Sequence, residues 1–196
     1  MNNDDILACA QTVQAWGFAR DQRRWEDLRD TFHPHGVIHV SWFSGSFDTF
    51  VDHCKANASG GVFSKHLLWP SRVRGAANRA ISETTTAILV RQVIEDVTVD
   101  LTSYARFLDR FERRNNVWRI VERTCIYEFD RLDPLTPSDK FTALMKSGEA
   151  ERFPVPYRYM GYRIAAHGRA LAEPVHYDGR PETEALKSRY EGWMRE

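Results

Sequence analysis

Val97-Thr98-Val99-Asp100-Leu101-Thr102 alternates apolar and polar side chains residue by residue, the period of a strand with one buried face and one wet face. The run continues to residue 113, meets Arg114-Asn115-Asn116, and resumes over residues 117–129. Asparagine accepts positive φ more readily than other non-glycine residues, so this break predicts a hairpin between two long strands. Residues 63–73 and 79–93 share the texture, rich in Thr, Val, Ile and aromatic side chains, and read as strands too.

Upstream the period changes to that of helices. Ile6, Leu7, Ala10, Val13 and Gly17 follow one face, and Trp25, Leu28 and Phe32 follow a second short one. Asp4 or Asp5 is positioned to cap the start, and the charged run from Arg20 to Arg24 predicts a bend. His33-Pro34-His35-Gly36 should stop the helix, because proline cannot continue the hydrogen-bond ladder. Residues 37–42 read as a short strand ending at a turn, Ser44-Gly45-Ser46. Residues 47–58 read as a helix carrying Phe47, Phe50, Val51 and Cys54, ended by Ser59-Gly60-Gly61. Helices followed by several long strands predict an α+β fold in which one face of a curved sheet closes over the helices and leaves a pocket.

The expected domain covers residues 1–133, with a C-terminal extension over residues 134–196. Prolines 134, 137, 154, 156, 174 and 181 punctuate that extension. Within it, residues 138–145 and 182–193 read as helices, Thr183 capping the second. The Tyr- and Pro-dense residues 153–162 should pack back on the domain or on a neighbouring subunit.

The chain has 196 residues, 42% of them hydrophobic, enough to bury a substantial core. Its 27 basic and 27 acidic residues cancel, so no global field favours nucleic acid or anionic lipid. The start lacks the basic segment and apolar run of a secretory signal, and no stretch approaches about 20 apolar residues, so the expected location is cytoplasmic, with no membrane partner. Cys9, Cys54 and Cys125 are widely spaced, without a Cys-x-x-Cys pair, and read as reduced, buried thiols. His33, His35 and His39 lie close together but lack the His-Glu-x-x-His spacing, and the glycine-bearing turns lack the lysine of a nucleotide loop. The expectation is therefore no metal and no cofactor.

Asp21, on the first helical segment, and His66, in Ser64-Lys65-His66-Leu67, carry the chemistry of interest. A carboxylate that holds one imidazole nitrogen leaves the other free to take a proton. If the fold brings the two together in one cavity, the chain is an acid/base enzyme; if not, they are two polar residues among many. Arg123 shares a strand face with Val121 and Cys125, where it either stabilises negative charge in a cavity or forms a surface ion pair. Tyr104 offers a phenolic donor or ordinary packing. Trp16, Trp42, Phe43, Phe63 and Trp69 either line a pocket for an aromatic or polycyclic ligand or serve as core.

Phe18-Ala19-Arg20-Asp21-Gln22-Arg23-Arg24-Trp25-Glu26-Asp27-Leu28, then Phe32-His33-Pro34-His35-Gly36, then His66, then Val117-Trp118-Arg119-Ile120-Val121-Glu122-Arg123 stand in an order and spacing that resembles the SnoaL-like branch of the nuclear-transport-factor-2-like superfamily. That branch includes scytalone dehydratase, bile-acid dehydratases, hexachlorocyclohexane dehydrochlorinase and polyketide cyclases. The resemblance spans residues 6–130 and implies a cone-shaped α+β barrel in which a curved antiparallel sheet wraps around the N-terminal helices, a pocket in its mouth, and oligomers formed through the outer sheet face. It implies that Asp21 orients His66 as a proton-abstracting base and that Arg123 assists the leaving group. Trp16 and Gly17 stand where some relatives place other side chains, so the relatives' substrates are not carried over.

The expected activity is that of a cofactor-independent lyase acting on a small hydrophobic aromatic or polycyclic substrate, by dehydration or by aldehyde-releasing carbon–carbon cleavage. The alternatives are an isomerase or cyclase using the same base, and a noncatalytic small-molecule-binding or assembly domain. A homodimer is expected first and a homotrimer next.

Overall fold

The computed structural model describes residues 1–58 and 63–195. The expected stop at Ser59-Gly60-Gly61 lies outside the described residues. Helix α1 (Asn3–Asp21) is capped by Asn2, two positions before Asp4, rather than by either member of the acidic pair: Asn2 accepts from the Asp5 backbone N–H while the Asp5 carboxylate accepts from the Asn2 N–H. It breaks at Gln22-Arg23-Arg24, with Arg23 in left-handed conformation, and α2 (Trp25–Asp30) follows. The bend predicted from the charged run is therefore present.

Strand β1 (Phe32–Val40) begins inside the segment expected to be a pure helix stop. Pro34, left-handed His35 and Gly36 interrupt its pairing between Phe32 and Val37, so the Pro-Gly signal marks an irregularity within a strand. Ser44-Gly45-Ser46, expected as a turn, belongs instead to β2 (Phe43–Ser46), paired back on β1 with Val40 opposite Phe43. Ser46 then caps α3 (Phe47–Ala56).

The expected strand over residues 63–73 is two strands, β3 (Phe63–Leu68) and β4 (Arg72–Ala76), split at Trp69-Pro70-Ser71 because proline removes a ladder donor. Three long strands follow: β5 (Arg79–Ile94), β6 (Val97–Arg114) and β7 (Val117–Pro134). Asn115 and Asn116 both take positive φ between Arg114 and Val117, as the β6–β7 hairpin requires. Strand order is β2-β1-β7-β6-β5-β3, with β4 also on β5 and a short β8 (His176–Tyr177) on β7. Both β1 and β8 pair with β7 in parallel, so the curved sheet is mixed and open, rather than purely antiparallel and closed. The α+β cone architecture stands.

The concave face packs on α1 and α3. Cys9, Val13, Trp16, Phe47, Phe50, Phe107, Phe111 and Ile120 are buried there in one continuous core. The extension joins it: α4 (Asp139–Lys146), capped by Ser138, and α5 (Arg158–Ala166) bring Leu144, Met160 and Ile164 into the same cluster. The Met160 N–H donates to Asp130 at 2.7 Å, and the Ala172 N–H donates to the Ser41 carbonyl at 2.9 Å, tying this segment to the sheet.

On the convex face, α6 (Pro181–Arg195) lays Leu186 and Tyr190 over Ile81, Leu108 and Ile126. Ion pairs of Glu191 with Arg74 and of Arg189 with Glu122 hold it there. Thr183 lies inside α6 and bonds His176 at 3.0 Å, so it is not the cap expected from sequence. No described helix is long and apolar enough to cross a membrane.

Candidate active site

A cavity of about 600 Å³ opens between the concave sheet face, α1, α3 and the segment following β7. Asp21, the last residue of α1, and His66, near the middle of β3, are 45 positions apart and meet in its wall. The His66 Nδ1–H donates to Asp21 Oδ1 at 2.7 Å, and the His66 backbone N–H donates to Oδ2 at 2.9 Å. Lys65 Nζ approaches Oδ2 at 3.4 Å. The carboxylate therefore fixes both the ring and the backbone beneath it. Nδ1 is the protonated nitrogen in this arrangement, leaving the Nε2 lone pair without a protein donor among the described residues.

Burial pushes the Asp21 carboxyl upward, but the hydrogen bonds and charge of His66, with Lys65, outweigh it and hold the group below the usual carboxylate range. Burial is also the largest influence on His66 and pushes the imidazole below its ordinary value. Asp21 opposes this, while Arg20 and Arg123 reinforce it. The result at neutral pH is a neutral imidazole beside an ionised carboxylate. Trp16 meets the His66 ring edge-on at 5.3 Å and limits its rotation.

Trp16 and Trp42 line the cavity. Phe43 sits behind them, packed on Trp42 and Phe50 with ring centroids 5.8 and 5.7 Å away. Trp69 corrects the sequence reading: it falls in the break after β3, is 45% exposed and does not line the cavity. Tyr104 is a second correction. It lies on the β6 face opposite Phe107 and stacks on half-exposed Phe129 at 4.5 Å, outside the cone.

Arg123 is a third correction, because neither expected role fits its surroundings. Its guanidinium is fully buried and donates from Nε and Nη2 to the two oxygens of Asp109, directly across the β6–β7 ladder, both at 2.7 Å. The rings of Trp16 and Phe107 cover it, with centroids 4.5 and 4.3 Å from Cζ. It is neither a surface ion pair nor a lining group; it forms a charged layer beneath the cavity floor.

The histidines considered as metal ligands diverge. His33 Nε2 contacts the Glu112 carbonyl at 2.9 Å, His39 Nδ1 contacts Ser44 Oγ at 2.7 Å, and His35 occupies the left-handed position of β1. No cluster of three or more potential metal ligands occurs among the described residues.

Sequence reasoning missed a second wall. Tyr127 lines the cavity and its hydroxyl donates to Ser41 Oγ at 2.9 Å while accepting from the Ser41 N–H at 3.0 Å. Met160, Arg163, His167 and Arg169 come from α5 and the residues after it, and Arg20 and Arg23 from the α1–α2 junction. The Tyr- and Pro-dense signal before α5 indicated packing, but nothing in its spacing indicated which face would meet the cavity. Cys54 also lines the wall, its thiol pushed up to about 11 by burial.

A family model described as a SnoaL-like domain matches residues 2–124. Pea pathogenicity protein 2 of Fusarium vanettenii is 26% identical over 162 residues, covering 80% of this chain and 67% of that protein. A putative scytalone dehydratase from Novosphingobium aromaticivorans superposes with a TM-score of 0.56 at 12% identity, covering 69% of this chain and 96% of that one. A type 2 hexachlorocyclohexane dehydrochlorinase gives a TM-score of 0.58 at 13% identity, covering 69% and 91%. Identities this low establish likeness of fold.

Proposed function

The chain belongs to the SnoaL-like family, and we propose that it is a cofactor-independent lyase in which His66 removes a proton from a small aromatic or polycyclic substrate and a hydroxyl or comparable group departs. The observation that carries this reading is the 2.7 Å contact between His66 Nδ1 and Asp21 inside an open cavity. With Nδ1 committed to Asp21, Nε2 takes the substrate proton; the carbon–hydrogen pair forms the new double bond as the carbon–oxygen bond breaks. The departing hydroxide takes up the proton from the imidazolium, giving water and regenerating the base. Asp21 stabilises the transient imidazolium, as a charge-assisted hydrogen bond does at close range. Aldehyde-releasing carbon–carbon cleavage would use the same base on a substrate hydroxyl.

An open cavity of drug-like volume with an oriented base on its wall favours this reading over a noncatalytic domain. The test is a mass-resolved screen of hydroxylated aromatic compounds. A product lighter by water, halide or formaldehyde supports the lyase, and a product of unchanged mass assigns an isomerase or cyclase instead. With a turned-over substrate in hand, His66→Ala should reduce kcat/KM by about 10²-fold or more. Unchanged turnover in a folded His66→Ala protein removes the assigned base.

A further inference from the structure

The cavity is short of negative charge. Its lining includes Arg20, Arg23, Arg163 and Arg169 against a single carboxylate, Asp21, which is already engaged by His66 and Lys65. Three other shielded arginines are matched with acids: Arg123 with Asp109, Arg110 with Glu122, Arg106 with Glu128 and Asp178. Arg163 differs from these three. Its Nε donates to the neutral Gln92 amide oxygen at 2.7 Å and its Nη1 approaches Met160 Sδ at 3.7 Å, and no carboxylate pairs with it among the described residues. Gln92 leaves its own Nε2 buried without an acceptor, so the corner is rich in donors and poor in acceptors.

A sheltered cation without a counter-ion is costly, and a second cation beside it adds to the cost. Arg169 stands in that position; its charge joins burial in pushing the Arg163 guanidinium down to about 10. His167, whose Nδ1 contacts the Arg163 carbonyl at 2.9 Å, follows on the same chain turn. Apolar side chains make up much of the remaining lining: Trp16, Trp42, Phe107, Ile88 and Val90. The cavity thus offers apolar surface that matches a ring and guanidinium groups that match an anion. A guanidinium fork presents paired donors that fit a carboxylate in two parallel bonds.

We propose that the cavity takes an aromatic or polycyclic acid, with its ring on the Trp16–Phe107 wall near His66 and its carboxylate against Arg163 and Arg169. This deepens the lyase reading, on which it rests for the chemistry at His66, by assigning the substrate's charge and its anchoring point. The carboxylate supplies the counter-ion that the fold withholds from Arg163. It also fixes which end of the ligand faces His66. Positioning of this kind counts directly toward rate, since a base acts only on the proton held within its reach.

The experiment measures binding rather than turnover. 2-Naphthoate and its neutral counterpart 2-naphthamide are titrated against the full chain by quenching of tryptophan fluorescence and by calorimetry. The variants are Arg163→Gln, Arg169→Ala and His66→Ala, each checked for folding by circular dichroism. The wild type should bind the acid about tenfold or more tightly than the amide, as a charge-assisted contact at a shielded guanidinium provides. Arg163→Gln should reduce that preference to about twofold or less, and Arg169→Ala should reduce it by about threefold. His66→Ala should keep the preference, so failure of the assigned base leaves this result unaffected. Equal affinity for acid and amide, no binding of 2-naphthoate at millimolar concentration, or a full preference surviving in Arg169→Ala would each overturn the proposal. Arg169 lies at the exposed rim, so its variant serves as the test even if Arg163→Gln fails to fold.

Discussion

Asp109→Asn is the sharpest perturbation the fold offers, because it removes one charge from a pair that has no access to water. Asp109 and Arg123 are each fully buried and joined by two bonds of 2.7 Å, with Ser82 Oγ donating to Asp109 Oδ2 at 3.2 Å. Asparagine keeps the shape and one acceptor but turns a second acceptor into a donor facing a guanidinium. Arg123 would then remain as an uncompensated cation between Trp16 and Phe107. Breaking a buried pair from one side costs about 3–5 kcal/mol. For a chain of this length, each 1 kcal/mol lowers the Tm by about 2–4 °C.

Urea denaturation of Asp109→Asn and of the double variant Asp109→Leu/Arg123→Met provides the assay. Replacing both charges with apolar groups of similar volume removes desolvation cost along with attraction, so the double variant should recover most of the lost stability. A single-variant cost below about 1 kcal/mol would refute the reasoning. So would a double variant as unstable as the two single changes added together. The double variant also tests function: if Arg123 only supports the cavity floor, the folded double variant keeps its turnover, whereas its loss would restore Arg123 as a direct participant.

The remaining expectations concern pH and assembly. Because burial, Arg20 and Arg123 outweigh Asp21 and place His66 below its ordinary value, kcat/KM should rise with pH through a midpoint below about pH 6.5; a midpoint above about pH 7 would remove His66 as the titrating base. The same direction fixes the stability effect. The unfolded chain binds the His66 proton at higher pH than the folded one, so this contribution is complete above about pH 6.5 and declines as pH falls toward the folded value. In assembly, α6 already covers Ile81, Leu108 and Ile126, but leaves Tyr104 and half-exposed Phe129 on the convex face. A dimer at micromolar concentration, measured by light scattering, is expected through that remainder; a monomer would refute it.

Much of the architecture could be read directly from the residues, and the reasons are local. Alternation along β6, the Asn115-Asn116 hairpin and the charged break after α1 are signals whose cause and effect lie within a few residues. Errors arose where the outcome depended on distant partners. Ser44-Gly45-Ser46 has turn chemistry, yet β1 offers it a ladder, and Pro34 and Gly36 are tolerated because the β1–β7 pairing slips between Phe32 and Val37. The meeting of Asp21 with His66 was suggested by resemblance, since no periodicity links residues 45 positions apart. Parity puts Arg123 on one strand face with Val121 and Cys125, but it does not show whether that face turns inward or that Asp109 holds the side chain beneath Trp16 and Phe107. The basic wall escaped notice because Arg163 and Arg169 look like ordinary surface cations until α5 docks.

The docking of α5 has a consequence for how this cavity comes into being. Synthesis delivers Asp21 and His66 early and the three long strands by residue 134, while Met160, Arg163 and Arg169 emerge last. A nascent chain halted after β7 would carry the imidazole and its carboxylate in a trough with one side missing, and Trp16 and Tyr127 would face water until the final wall arrived. The family-matching stretch, residues 2–124, contains the paired acid and base but none of α5. The cavity is therefore assembled from two separate stretches of chain: changes confined to the last third would alter what the trough retains and leave the contact between Asp21 and His66 in place.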